Sequence, residues 1–399
     1  MPGAVTGGEP VPADGTLPRT ALDGAGTRPF GVYVHVPFCA TRCGYCDFNT
    51  YTSSELGGGA VSAGTYAALA IAELRFAREV LGAAARPAST VFFGGGTPTL
   101  LAPAAFGAIL DAIGTEFGLA AGAEITTEAN PESVTEESLD ELRARGITRV
   151  SFGMQSAVSG VLAVLDRSHQ PGRPEQCVAW AKQAGFEHTS LDLIYGTPGE
   201  SDADWERSLR AAIAAGPDHI SAYALTVEQG TRLAARVRRG ELTPPDDDVL
   251  AGRYVIADQT LSAAGYGWYE ISNWAADAGA RCAHNMLYWT GGDWWGIGPG
   301  AHSHVGGTRW WNVRHPAAYA SRIEAGVSPG QAREVLTGDE RELERVMLEI
   351  RLADGYPLSA LPDWPYPDLD GLVDVRDDRL YLTRRGRLLA DTVVRALTP

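Results

Sequence analysis

The chain has 399 residues, 45% of them hydrophobic and 21% charged, enough for one large core and a smaller second domain. Its formal net charge of −16, with no basic run or stripe, argues against a nucleic-acid partner, because phosphate binding needs a basic face. No apolar run reaches spanning length, so no integral membrane segment is expected, although a peripheral membrane contact needs only a local surface and stays open; clustered, unpaired cysteines and the lack of a leader predict a cytoplasmic location.

Residues 1–29 are rich in Gly, Pro, Ala and Thr without a period, which predicts a flexible tail, with the fold starting at Gly31. From there β-rich runs alternate with helical patterns, as in βα units built on a parallel sheet. Strands are expected at 32–37, 90–93, 124–128, 149–154, 189–194 and 220–225. Helices at 65–80, 103–117, 136–145 and 204–215 carry apolar residues at three- and four-residue intervals, and Thr135 is the expected N-cap of the third. The fold class is therefore α/β: six units form a partial (β/α)6 TIM-like barrel over 30–240, with reactive groups at the C-terminal ends of the strands. A connecting region, 241–326, holds a long helix at 246–266 and a short strand at 269–272. Over 327–399 a charged amphipathic helix (340–352), a hairpin (372–382) with Asp377-Asp378 at its tip and a last helix (384–397) predict a small α+β winged-helix-like domain. The chain's acidity favours docking of that domain against the barrel or a protein rather than DNA.

Cys39, Cys43 and Cys46 form C-x3-C-x2-C after the first strand. Thiolates select soft metal centres, and iron-sulfur clusters normally use four of them, so three leave one iron open to a small molecule. The alternative is zinc, which wants four ligands; no second C-x2-C pair exists, and His35 would have to complete the set. Cys177 and Cys282, in apolar or mixed contexts, read as ordinary buried thiols. The other motifs also fall at strand ends: Gly94-Gly95-Gly96-Thr97-Pro98 after the second, Glu128-Ala129-Asn130-Pro131 after the third, Gln155 at the fourth, Asp192 on the fifth. Glycine-rich turns bring the backbone close to a ligand. Glu128 and Asp192 can accept from hydroxyls or ammonium, Gln155 can donate and accept, and Arg167 can pair with a carboxylate. Singly, each suits a structural hydrogen bond equally well; their joint placement is the signal.

YVHVPFC-x3-C-x2-C, GGGTPT, TTEANPE, SFGMQS, LDRSH and DLIYGTPGES, in that order, resemble the HemN/HemW group of radical S-adenosylmethionine (SAM) proteins, from Tyr33 to about Trp289. The resemblance implies a [4Fe-4S] cluster on Cys39, Cys43 and Cys46, a reductant for it, and SAM on the open iron. It implies SAM contacts at Tyr33, Tyr45, Gly95, Gly96, Thr97, Glu128, Gln155, Arg167, Asp192 and Thr226. Two functions divide the group. Coproporphyrinogen III dehydrogenases carry a further cysteine two positions after the third and an ordered N-terminal extension over the active site; here that position is Phe48, and the tail reads as too flexible for a lid. The HN-x2-YW segment beginning at His284 resembles the haem-binding signature of the HemW proteins, and an imidazole beside flat rings suits haem. Trp294, Trp295, Trp310 and Trp311 add aromatic area or form core between domains; His302 and His304 are not chosen as iron ligands. The resemblance thus implies a chaperone that binds haem and hands it to an acceptor haem protein, with no residue given a catalytic role. The alternative it allows is the dehydrogenase, in which the reduced cluster cleaves SAM and the resulting radical starts the decarboxylation of two propionates to vinyls.

Overall fold

The computed structural model describes residues 7–56, 61–361 and 369–398. Six strands, β1 (Phe30–Val36), β2 (Ala88–Gly95), β3 (Leu119–Ala129), β4 (Arg149–Gln155), β5 (His188–Tyr195) and β6 (His219–Ala224), lie side by side in sequence order and all run parallel. Their alternation has an unusual sense. The apolar residues Val32, Val34, Val91, Phe93, Val150, Phe152, Leu191, Leu193 and Ile220 belong to the main core, where they meet the helices. Those helices, among them Ala63–Leu81, Pro103–Glu116 and Asp202–Ala215, supply Tyr66, Leu74, Phe106, Ile109, Trp205 and Leu209 to the same core. The intervening strand residues are largely polar and point to the other side, where the barrel interior lies.

The region expected to be a connector completes the sheet. After the helix Asp247–Ala263, capped by the Asp246 side chain, β7 (Gly267–Glu270) and β8 (Asn273–Ala275) extend the sheet antiparallel beyond β6. The chain then crosses to the opposite edge, where β9 (Asp293–Ile297) pairs parallel with β1, followed by antiparallel β10 (His302–Val305), β11 (Thr308–Asn312) and β12 (Gly330–Val335). Since β12 belongs to this sheet, the small C-terminal unit begins after it rather than at 327. That unit has its own three-stranded sheet and its own core of Val346, Ile350, Tyr356, Leu380, Leu382 and Val393. Its hairpin turns at Asp377 and Asp378, both at positive φ as a two-residue turn of this kind requires. The last expected helix is two, Arg384–Leu388 and Ala390–Leu397, because Leu389 leaves the helical region at φ −117°, ψ 29°. The unit docks on the barrel through Asp258, which accepts from Arg384 Nε (2.8 Å) and Arg387 Nη1 (2.9 Å).

The reading of residues 1–29 as an unstructured tail is corrected for 7–29. Glu9 bridges to Arg333 of β12, both by backbone pairing and through a 2.7 Å ion pair; Leu17 and Ala21 enter the main core, and Arg28 donates to the fully buried Asp293 at 2.9 Å. Composition misled here because a strap that borrows a neighbour's core needs few apolar residues of its own.

One further carboxylate is buried whole. Glu73, on the helix Ala63–Leu81, accepts from Gly298 N (2.7 Å), Asn312 Nδ2 (2.7 Å) and Tyr319 OH (2.6 Å), tying that helix to the loop after β9, to the end of β11 and to the helix Pro316–Glu324. Burial pushes it up to about 7, despite those three donors. An acid raised on folding binds more protons in the native state, so it makes stability fall as pH rises from the ordinary glutamate range toward 7. Glu73→Gln should flatten that part of a denaturation-versus-pH profile; an unchanged slope would show that Glu73 keeps its ordinary pKa.

Candidate functional site

A cavity of about 300 Å³ runs down the inside of the barrel. Its mouth is the loop after β1, which presents Cys39, Cys43, Tyr45, Cys46 and Phe48; the turn after β2 adds Gly95 and Gly96. All three cysteines are free thiols, and burial pushes the Cys46 thiol up to about 12 and raises Cys39, so neither becomes a thiolate there without a positive partner. Phe48 is 43% exposed at the rim. None of the lining residues comes from 7–29, so the strap does not cover the mouth.

The turn is glycine for a steric reason. A Cβ on Gly96 would lie 2.4 Å from the Phe38 carbonyl oxygen and 3.0 Å from Cys39 Sγ; one on Gly95, at φ +112°, would strike the His35 ring at 2.7 Å. Below the turn, Glu128 accepts from Gly95 N at 3.1 Å and is pushed up to about 8, chiefly by burial and then by the neighbouring Asp192. Asp192 accepts from Ser151 Oγ at 2.8 Å and is raised by burial in turn. Gln155 sits at φ 55° where a bulge ends β4, an uncommon conformation for a non-glycine residue, and its buried Oε1 has no hydrogen-bond partner. Arg167 donates to Cys43 Sγ (3.2 Å), Asn130 Oδ1 (2.9 Å) and Gly153 O (3.1 Å).

Of the expected SAM contacts, Tyr45, Gly95, Gly96, Glu128, Gln155, Arg167 and Asp192 line this one cavity with the three cysteines. Thr97 stands just behind, its Oγ1 4.0 Å from Cys39 Sγ and accepting from Asn130 Nδ2 at 2.8 Å. Tyr33 and Thr226 are not brought to the lining: the Tyr33 hydroxyl donates to His35 Nδ1 at 3.0 Å, and Thr226 is exposed. Because His35 Nε2 also donates, to Asn49 O at 2.9 Å, the imidazole has no nitrogen left to complete a four-ligand zinc set. Among the described residues, no three His, Cys, Asp or Glu side chains gather closely enough to hold a single metal ion.

The floor was not legible in advance. The helix Ala283–Trp289 closes the N-terminal end of the barrel, held by Glu124, which accepts from Ala283 N and His284 N at 3.1 Å each. Cys282 and Asn285 face the cavity from below. His284, the expected haem ligand, is 1% exposed, pushed down to about 3 by burial, and hydrogen-bonded at both ring nitrogens, to Thr90 Oγ1 and Tyr288 OH, each at 2.8 Å. In this conformation neither ring nitrogen is free to meet an iron. His304 is likewise engaged at both nitrogens, and Trp295 and Trp310 stack edge to face under the N-terminal strap as core. A polar alternation inside the strands, Glu124, Thr126, Glu128 in β3 and Arg149, Ser151, Gly153 in β4, was the available signal for the inner wall.

Comparison with known proteins agrees with this geometry. Residues 33–212 match the radical SAM superfamily. The chain is 54% identical to the protein named heme chaperone HemW of Mycobacterium tuberculosis, over 93% of this chain and 95% of that one. It is 31% identical to the Bacillus subtilis protein of the same name, over 90% and 97%. Among solved structures, coproporphyrinogen III oxidase (HemN) of Escherichia coli superposes with a TM-score of 0.79 at 23% identity, covering 96% of this chain and 94% of that one, which establishes the shared fold.

Proposed function

The chain belongs to the HemW family of radical SAM proteins, and from that premise we propose that it is a cytoplasmic haem chaperone, binding haem and passing it to an acceptor haem protein. The observation that carries the reading is the near full-length match to proteins named haem chaperones; Phe48, where the dehydrogenase pattern has a cysteine, supports it.

We further propose that Cys39, Cys43 and Cys46 hold a [4Fe-4S] cluster and that SAM lies against its open iron. The residues fit that pair: three thiols share one cavity, the Gly95-Gly96 turn leaves no room for a Cβ, and the orphaned Gln155 Oε1 awaits a donor. When bound, the cluster would supply a one-electron centre kept poised by an external reductant. Around it Arg167 neutralises the Cys43 sulfur, while Glu128, Asp192 and Gln155 provide acceptors for a polar, cationic ligand. For haem, His284 would have to release the hydroxyl of Thr90 or of Tyr288 and become accessible from its present 1% exposure.

An anaerobic assay of the reconstituted, reduced protein with SAM and coproporphyrinogen III, run beside a haem titration of the wild type and His284→Ala, tests the proposal. Expected are stoichiometric haem binding, no protoporphyrinogen, and a changed Soret band in the variant. Turnover without tight haem binding would overturn it in favour of a dehydrogenase.

A further inference from the structure

The inner wall below Glu128 and Asp192 takes no part in the reading above, yet it is polar where barrels of this kind are filled with branched aliphatic side chains. At its base lies Arg149, the first residue of β4 and 1% exposed. Its Nη1 donates to Ala280 O at 2.9 Å and lies 3.5 Å from Glu124 Oε2, whereas its Nη2, equally buried, has no partner. The residue in register with it across β3 is Thr126, whose buried Oγ1 also has no partner. Both side chains line the cavity. A buried guanidinium nitrogen and a buried hydroxyl left unsatisfied side by side each carry a desolvation cost that one shared acceptor would remove.

We propose that the foot of the barrel is a second binding subsite, which takes the carboxylate of a ligand distinct from the one at the cysteines, on Arg149 Nη2 and the Thr126 hydroxyl. A carboxylate is the matching group because it only accepts, can meet the Arg149 Nη2 that the Glu124 ion pair on Nη1 leaves without a partner, and offers two coplanar oxygens to donors on adjacent strands about 4.8 Å apart. The lining residues of β5 and β6 beside it are compatible: Ser190 Oγ is hydrogen-bonded to His219 Nδ1 at 2.7 Å, and His219 Nε2 to Tyr269 OH at 2.8 Å, while His188, in register with Arg149 on β5, does not line the cavity. The subsite does not depend on the identity of the haem acceptor or on cleavage of SAM.

Saturation-transfer NMR on the full-length, cluster-reconstituted protein tests this with acetate as probe and acetamide, its neutral isostere, as control. Acetate should show saturation transfer and acetamide little. Thr126→Val, which keeps shape and loses the hydroxyl, should weaken acetate about fivefold, the worth of one hydrogen bond. Arg149→Gln should abolish it; since that variant risks misfolding, the inference stands or falls on Thr126→Val. Equal transfer to acetate and acetamide, or unaltered acetate affinity in Thr126→Val, would overturn it. So would displacement of acetate by SAM, because the carboxylate on Arg149 would then belong to SAM itself.

Discussion

Alanine at any one of Cys39, Cys43 or Cys46 is expected to take the iron content of anaerobically reconstituted protein to near zero, with loss of its visible absorption. Two remaining thiolates would leave two irons of a cubane without protein ligands, and no neighbour can stand in: His35 is engaged at both nitrogens, and Cys282 faces the far end of the cavity with its sulfur on Glu124 at 3.6 Å. Replacement of Cys43 has an added cost, because Arg167 loses the acceptor it meets at 3.2 Å and keeps a buried charge. Iron and sulfide analysis of the three variants checks the assignment; unchanged iron in any of them would remove that cysteine from the ligand set, and zinc in place of iron would revive the four-ligand alternative.

The largest effect on stability is expected from Asp293→Ala. This fully buried carboxylate at the start of β9 accepts from Arg28 Nε at 2.9 Å, from Gly306 N at 2.8 Å and from Arg86, whose own side chain is mostly buried. Removing it strands two guanidinium groups without their counter-charge, a change that costs about 3–5 kcal/mol when the pair is buried. Because Arg28 is the last anchor of the N-terminal strap, cleavage within 7–29 by a protease should also become faster. Chemical denaturation of the variant, with limited proteolysis beside it, measures both. A loss below about 1 kcal/mol would mean that water shields these charges as it does at a surface.

The strands β1 to β6 were legible because each is a short β-rich segment, of Val, Ile, Leu, Phe, Thr or Tyr, set between helical patterns that repeat at three and four. What joined the sheet from afar was not. Asp293–Ile297 reads DWWGI, with neither alternation nor a long apolar run, and its place beside β1 follows from a chain crossing that no local pattern records. The mouth of the site was readable because its residues cluster in short motifs: Cys39 to Cys46, Gly95-Gly96, Glu128 and Gln155 all reach one cavity. Thr126, Arg149, Ser190 and His219 were missed, since each is a single polar residue in a strand and only register shows that they share a wall. For His284 the motif was plain, but whether its nitrogens were free depended on Thr90, 194 positions away.

The cavity has its thiols at one end and the first turn of the 283–289 helix at the other, so the two ends share one thermodynamic cycle. A molecule that packs against Cys282 and Asn285 favours the helix in place, whereas a metalloporphyrin, were it to bind at the now-buried His284, would favour a different packing of that segment. Linkage makes that antagonism reciprocal: by whatever factor filling the barrel lowers the affinity for the porphyrin, the porphyrin lowers the affinity for the filling. Loading and release of cargo would then be set by what occupies the interior, with the closing helix as the shared element.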